Sequence, residues 1–213
     1  SMSSVELIDI SPLITTDIDV WPGDVPFTRE QTCAFSDGDN LDLSAMHTTL
    51  HLGAHADAPS HYLPDAPGIG ARALDFYYGP CEVVEVAVAP GARIVLADVG
   101  GSISTPRVLF KTGSFPDPNN WNNDFASLSP ELINHLVSCG VKLVGIDTPS
   151  IDPFASKLLE SHQAVAEHAV AVLEGLCLEH VPVGVYTLCA FPLKLAEADA
   201  APVRAVLISI EGS

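Results

Sequence analysis

Between His51 and His61 the chain reads His-Leu-Gly-Ala-His-Ala-Asp-Ala-Pro-Ser-His, and this stretch limits the possible structures more than any other. Three imidazoles and one carboxylate fall within eleven residues. A helix would put His51 and His55 on one face but would turn Asp57 away from them. Gly53 and Pro59 disfavour a helix here in any case. A strand running into a tight turn is expected instead, folding His51, His55 and Asp57 around one point. Imidazole nitrogen together with carboxylate oxygen suits Zn²⁺ or Mn²⁺. One histidine in a turn is ordinarily a surface residue, but this density beside Gly and Pro points to a metal site. The helical zinc-protease motif HExxH does not fit, because the glutamate and the helix are both missing.

The surrounding pattern supplies a sheet to carry that stretch. Strands are expected over residues 5–10, 41–51, 81–88, 108–112, 141–146, 185–190 and 203–210, from apolar or alternating runs. The 41–51 strand should end at Gly53, and Gly79-Pro80 should precede the 81–88 strand. Trp21-Pro22-Gly23-Asp24 reads as a turn, and residues 117–123 as a polar loop. Ser129-Pro130-Glu131 opens a helix with a capping hydroxyl, a proline in the first turn and an acidic residue, and Gly140 should close it. A second helix is expected over 161–172, stopping by Gly175. Strands and helices mix without regular alternation. The expected fold is therefore α/β (mixed α+β), not doubly wound: a single domain over residues 1–213, with a central mixed β-sheet or barrel-like core flanked by helices.

Composition narrows the partners. With 47% hydrophobic and 17% charged residues in 213, the chain can bury a core without a structural metal. A net charge of -18 repels phosphate backbones and anionic lipids, so neither nucleic acid nor a membrane surface is an expected partner. No apolar run reaches the ~18 residues of a membrane span. Residues 1–10 lack the basic and apolar regions of a signal peptide, so a cytoplasmic location is expected. Cys33, Cys81, Cys139, Cys177 and Cys189 are odd in number and show no CxxC spacing, and are expected to be reduced and mostly buried.

Away from the central stretch the signals are weaker. His162 falls on the second expected helix, and Glu174 lies at its end after the apolar run 170–173, which would draw it inward. A buried carboxylate is costly unless paired or bound to a cation. An ordinary helix-end carboxylate and a surface histidine would look the same. His47 reads as structural, and His168 and His180 have no chemical context.

The eleven-residue stretch resembles the HxGxHxDxPxH signature of the cyclase-like metal-dependent hydrolases. Within them the chain is most similar to the bacterial kynurenine formamidase (arylformamidase) branch. The supporting segments are Asp9-Ile10-Ser11-Pro12, Val20-Trp21-Pro22-Gly23-Asp24, Gly145-Ile146-Asp147-Thr148-Pro149-Ser150, Leu173-Glu174-Gly175, Pro192-Leu193-Lys194 and Pro202-Val203-Arg204-Ala205-Val206-Leu207. They span nearly the whole chain in the family's order. The resemblance implies a swivelling β/β/α fold and two divalent ions per subunit, Zn foremost and Mn second. It implies that His51, His55 and Asp57 hold one ion, and that Asp57 bridges to a second held by His162 and Glu174. His61 would transfer protons and Trp21 would line the substrate pocket. The implied reaction is hydrolysis of N-formyl-L-kynurenine to L-kynurenine and formate, by a homodimer acting on a small molecule. Opening of isatin or a cyclic imide on the same scaffold is the alternative. A non-catalytic metal or small-molecule binding protein is the alternative of another class, but it leaves His61 and Trp21 without a task. Ala54 stands where many relatives carry Thr, and residues 98–124 match poorly.

Overall fold

Ala54, Ala56 and Ala58 alternate with His55 and Asp57, so an extended backbone sends the alanines to one face and the ligand-type side chains to the other. The computed structural model, which describes residues 4–210, builds its layers on that alternation. The strands are β1 (Val5–Asp9), β2 (Thr28–Cys33), β3 (Leu43–His47), β4 (His55–Asp57), β5 (Tyr78–Glu85), β6 (Arg93–Ile94) and β7 (Arg107–Lys111). They continue as β8 (Ser127–Leu128), β9 (Leu143–Ile146), β10 (Ala171–Glu174), β11 (Gly184–Cys189), β12 (Ala200–Pro202) and β13 (Val206–Ile210). Among the described residues the α-helices are α1 (Pro130–Ser138) and α2 (Glu160–Glu167).

Nine strands form one curled sheet in the order β1-β13-β11-β5-β7-β9-β10-β4-β12. β5, β7, β9 and β10 run parallel, and the strands on either side pair antiparallel. This is the mixed single-domain α/β sheet expected from the sequence. β2 and β3 form a separate exposed hairpin, and β6 pairs with β8.

Alternation in the central strands divides the core in two. Leu109, Leu143 and Leu173 pack with Ala54, Ala56 and Ala58, in and beside β4, on one face. Val108, Phe110, Val144, Ile146 and Val172 face the other way, against Leu132, Ile133 and Leu136 of α1 and Ala164 and Val165 of α2. Each fully buried large apolar side chain contributes roughly 1.5–3 kcal/mol relative to exposure. α1 begins as expected: the Leu132 amide donates to Ser129 Oγ at 3.1 Å.

Several elements differ from expectation. The 41–51 strand stops at His47, so His51 lies in the irregular link before Gly53. The order is therefore a turn running into a strand, and His55 and Asp57 belong to β4 beyond it. α2 ends at Glu167; Ala169 takes a left-handed conformation (φ 54°), and the chain turns into β10. Glu174 is thus the last residue of a buried strand, not a helix end. Gly79 and Pro80 lie inside β5, where pairing with β7 begins only at Glu82, so no amide of Pro80 is required on that side. Of the cysteines only Cys81 is buried; Cys33, Cys177 and Cys189 are half-buried and Cys139 is exposed.

Candidate metal centre

The β4–β10 pairing brings distant parts of the sequence together. Glu174 stands opposite His55, and Val172 opposite Asp57. Paired residues project to the same face, so His55, Asp57 and Glu174 converge on the helical side of the sheet. α2 delivers His162 onto them from above, and the 48–54 link delivers His51 from the side. All five residues expected as metal ligands meet here, although the sequence separates His55 from Glu174 by 119 positions.

The link and the strand end fit by close contact. Gly175 has φ 71°, and a Cβ there would lie 2.1 Å from the Gly53 carbonyl oxygen. His55 Nδ1 lies 2.9 Å from that same oxygen.

Distances inside the cluster differ from those around it. His51 Nδ1 is 3.2 Å and His55 Nε2 3.5 Å from Asp57 Oδ1. His55 Nε2 is 3.2 Å from Glu174 Oε1, and His162 Nε2 is 3.3 Å from Asp57 Oδ2 and 3.4 Å from Glu174 Oε2. A charged nitrogen–oxygen hydrogen bond is typically about 2.7–2.9 Å. Two ligand atoms each about 2.1 Å from one ion at a tetrahedral angle lie about 3.4 Å apart. Asp57 Oδ1 is also buried with no hydrogen-bond partner. An orphaned carboxylate oxygen facing two imidazole nitrogens at ligand-to-ligand spacing fits a divalent cation. His51, His55, Asp57 and Glu174 present ligand atoms within 4.8 Å of one another, and so do Asp57, His61 and His162. The grouping of Glu174 with the His51 set, as well as beside His162, departs from the division expected of two ions.

The outer nitrogens are held by other groups. His51 Nε2 lies 2.7 Å from Asp199 Oδ2, and His162 Nδ1 lies 2.7 Å from Asp152 Oδ2. Asp152 also accepts from the Ser161 and His162 amides, capping α2, and Arg93 Nη1 donates to it at 2.6 Å. Neither aspartate stands out in the sequence as a site residue. Asp152 had a weak signal, standing two residues beyond the Gly145–Ser150 segment; Asp199 had none.

Charge follows this geometry. Burial opposes charge on His51, but the neighbouring carboxylates of Asp57 and Asp199 hold its pKa up to about 9. Burial works against the Asp57 carboxylate too, yet His162 and His51 keep its pKa well below the usual range. Burial likewise disfavours charge on His162, and Asp152, Asp57 and Glu174 outweigh it and raise the pKa. His61 is different: burial lowers its pKa, although Asp57 pulls the other way. Its ring centre is 4.2 Å from that of His51 and 6.0 Å from that of His162.

His51, His55, His61, His162 and Glu174 line a cavity of about 590 Å³, within the range of small-molecule sites. Trp21 lines it, stacked on Phe154 with ring centres 5.1 Å apart and edge-on to Trp121 at 5.4 Å. Trp121 and Phe115 line the same wall. They come from the poorly matching stretch 98–124, which is tied to the Trp21 loop because the Trp121 amide donates to Asp19 Oδ2 at 2.7 Å. Among the described residues no Lys or Arg lines the cavity, whereas Asp19, Asp24 and Asp147 do. His47 sits on the exposed hairpin, His168 bonds Asn134, and His180 bonds the Asp9 carbonyl, so none belongs to the centre. No helix among the described residues is long and apolar enough to cross a membrane.

Known proteins share this arrangement of the chain. A solved structure described as a potential metal-dependent hydrolase with cyclase activity matches with a TM-score of 0.82 and 25% identity, over 96% of this chain and 98% of that one. A predicted metal-dependent hydrolase from Bacillus stearothermophilus matches at 0.80 and 24%, over 96% and 98%. Isatin hydrolase A from Labrenzia aggregata matches at 0.78 and 20%, over 97% and 94%. The last two share the fold. The model of the Cyclase family matches residues 8–153, which include His51, His55, Asp57 and His61, and the chain belongs to that family.

Proposed function

We propose that this protein is a metal-dependent amide hydrolase that cleaves N-formyl-L-kynurenine to L-kynurenine and formate. The observation that carries the reading is the convergence of His51, His55, Asp57, His162 and Glu174 beside His61, with all of these but the buried Asp57 lining an aromatic-walled cavity. His51, His55, Asp57, His162 and Glu174 would hold two divalent ions, with zinc favoured over manganese. A bound ion of this kind lowers the pKa of water to roughly 7 and polarises a carbonyl oxygen.

The chain's own side chains do the rest. Trp21, fixed by Phe154 and Trp121, offers a flat apolar wall for an aryl ring and so sets the amide over the centre. Burial lowers the His61 pKa and so favours the neutral imidazole, the form that can take a proton. As the carbon–oxygen bond forms, His61 accepts the proton that the attacking water loses. As the carbon–nitrogen bond breaks, it passes that proton to the departing aryl nitrogen, which leaves as a neutral amine. General catalysis of this type contributes ~10²–10⁴-fold.

One observation favours a second reading, ring opening of isatin or a cyclic imide. A cavity lined by aspartates and by no Lys or Arg among the described residues offers no basic side chain to pair a substrate carboxylate, and a lactam has no carboxylate. The resemblance and the net charge support a homodimer with no nucleic-acid or membrane partner. Turnover of N-formylkynurenine and of isatin, measured on one sample with its metal content, decides between the readings. A metal-loaded protein that cleaves neither across pH 6–9 overturns both and leaves a binding protein.

A further inference from the structure

Each of the three imidazoles expected as ligands, His51, His55 and His162, points one nitrogen at the central carboxylates and has the other held from outside. For His55 the outer partner is the Gly53 carbonyl, and for His162 it is Asp152, which is fully buried. For His51 it is Asp199, whose side chain is 49% exposed and which lies in none of the segments that carry the family resemblance. The 2.7 Å separation of His51 Nε2 and Asp199 Oδ2 is that of a charge-assisted hydrogen bond, shorter than the 3.2–3.5 Å spacings inside the centre.

Asp199 is set in place by its backbone. The Ala58 amide donates to the Asp199 carbonyl at 2.8 Å, extending the β4–β12 ladder by one step beyond the Ala200–Asp57 pair. The Ile69 amide donates to the Ala198 carbonyl at 2.8 Å. Gly70 lets the same segment approach: a Cβ there would lie 2.5 Å from the Leu195 carbonyl oxygen. The carboxylate is therefore delivered beside the strand that carries His55 and Asp57.

We propose that Asp199 is a positioning residue for the metal centre: it accepts the Nε2 proton of His51 and so commits Nδ1 to the cation. His51 needs such a partner because it lies in an irregular link, with no strand or helix to fix its ring. A carboxylate behind a ligating imidazole fixes the tautomer and raises ligand basicity, and losing one typically costs 10–100-fold in metal affinity. The inference rests on the metal reading of the site proposed above. Asp199 also has a rival role, because His51, His61 and Asp199 present ligand-type atoms within 4.8 Å of one another.

The test is zinc affinity and stoichiometry by chelator competition on wild type, Asp199→Ala and Asp199→Asn, with imidazole ¹⁵N spectra of the zinc forms. Circular dichroism confirms that each variant folds. Asp199→Ala should bind zinc 10–100-fold more weakly at unchanged stoichiometry, and its His51 Nε2 proton should exchange faster. Asp199→Asn, which keeps an acceptor oxygen, should recover part of the affinity. Equal affinity in Asp199→Ala makes Asp199 an idle surface carboxylate and overturns the inference alone. Loss of a whole zinc equivalent makes it a ligand and overturns it too. A wild-type protein that retains no zinc overturns the metal reading, and this inference with it.

Discussion

Glu174 and His55 are direct partners across the β10–β4 strand pair, and Glu174 Oε1 lies 3.2 Å from His55 Nε2. The second carboxylate oxygen accepts from the Ile151 amide at 2.8 Å and lies 3.4 Å from His162 Nε2. One side chain thus faces ligand-type nitrogens from a strand and from a helix. Glu174→Gln keeps the shape but removes the charge and one acceptor. It should halve the metal-to-protein ratio, read by elemental analysis after dialysis. An unchanged ratio removes the second ion.

His61 is expected to act on protons and not to hold the metal. His61→Ala should retain the wild-type metal content while turnover falls ~10²–10⁴-fold. His55→Ala should lose metal. The comparison is made on one preparation by elemental analysis and initial rates. Equal metal loss in both variants would make His61 a ligand.

Gly175 carries the close approach of two chain segments. An alanine there meets the Gly53 carbonyl oxygen and keeps a left-handed conformation. Gly175→Ala should lower stability by about 3 kcal/mol, from backbone strain plus overpacking. Urea unfolding measures it. Because the displaced carbonyl also holds His55 Nδ1, metal content should drop as well. A fully stable, fully metallated variant contradicts the contact.

The Trp121 ring, with Phe115 and Pro118, is the part of the pocket lining that comes from the poorly matching stretch. Trp121→Ala should raise KM for an aryl substrate roughly tenfold with little change in kcat, since stacked aromatic contacts contribute about 0.5–1.5 kcal/mol beyond area burial. Steady-state kinetics on N-formylkynurenine and isatin test it. An unchanged KM for both places the substrate ring elsewhere.

The centre was partly legible because β4 writes its geometry in one dimension: Ala-His-Ala-Asp-Ala is a two-residue period visible without a structure. The α1 start was legible for a similar reason, since Ser129 caps its own helix. Glu174 was harder. The run 170–174 is equally apolar as helix or strand, and only Ala169, in a left-handed turn, decides. Asp152 was missed as a cap because it sits nine and ten positions before the amides it binds. Asp199 was missed because its meaning depends on a partner 148 positions away. The β2–β3 hairpin escaped because Thr28–Cys33 shows no apolar face to count.

The contacts of Asp57 with His162 and of His55 with Glu174 span 105 and 119 positions of chain. A cation shared by those side chains closes a loop of more than a hundred residues, as a disulfide would. Its bond energy is available only to the folded form, so the ion acts as a reversible cross-link whose strength follows the concentration of free metal. Chelation then removes the fastener that joins the first third of the molecule to its last third.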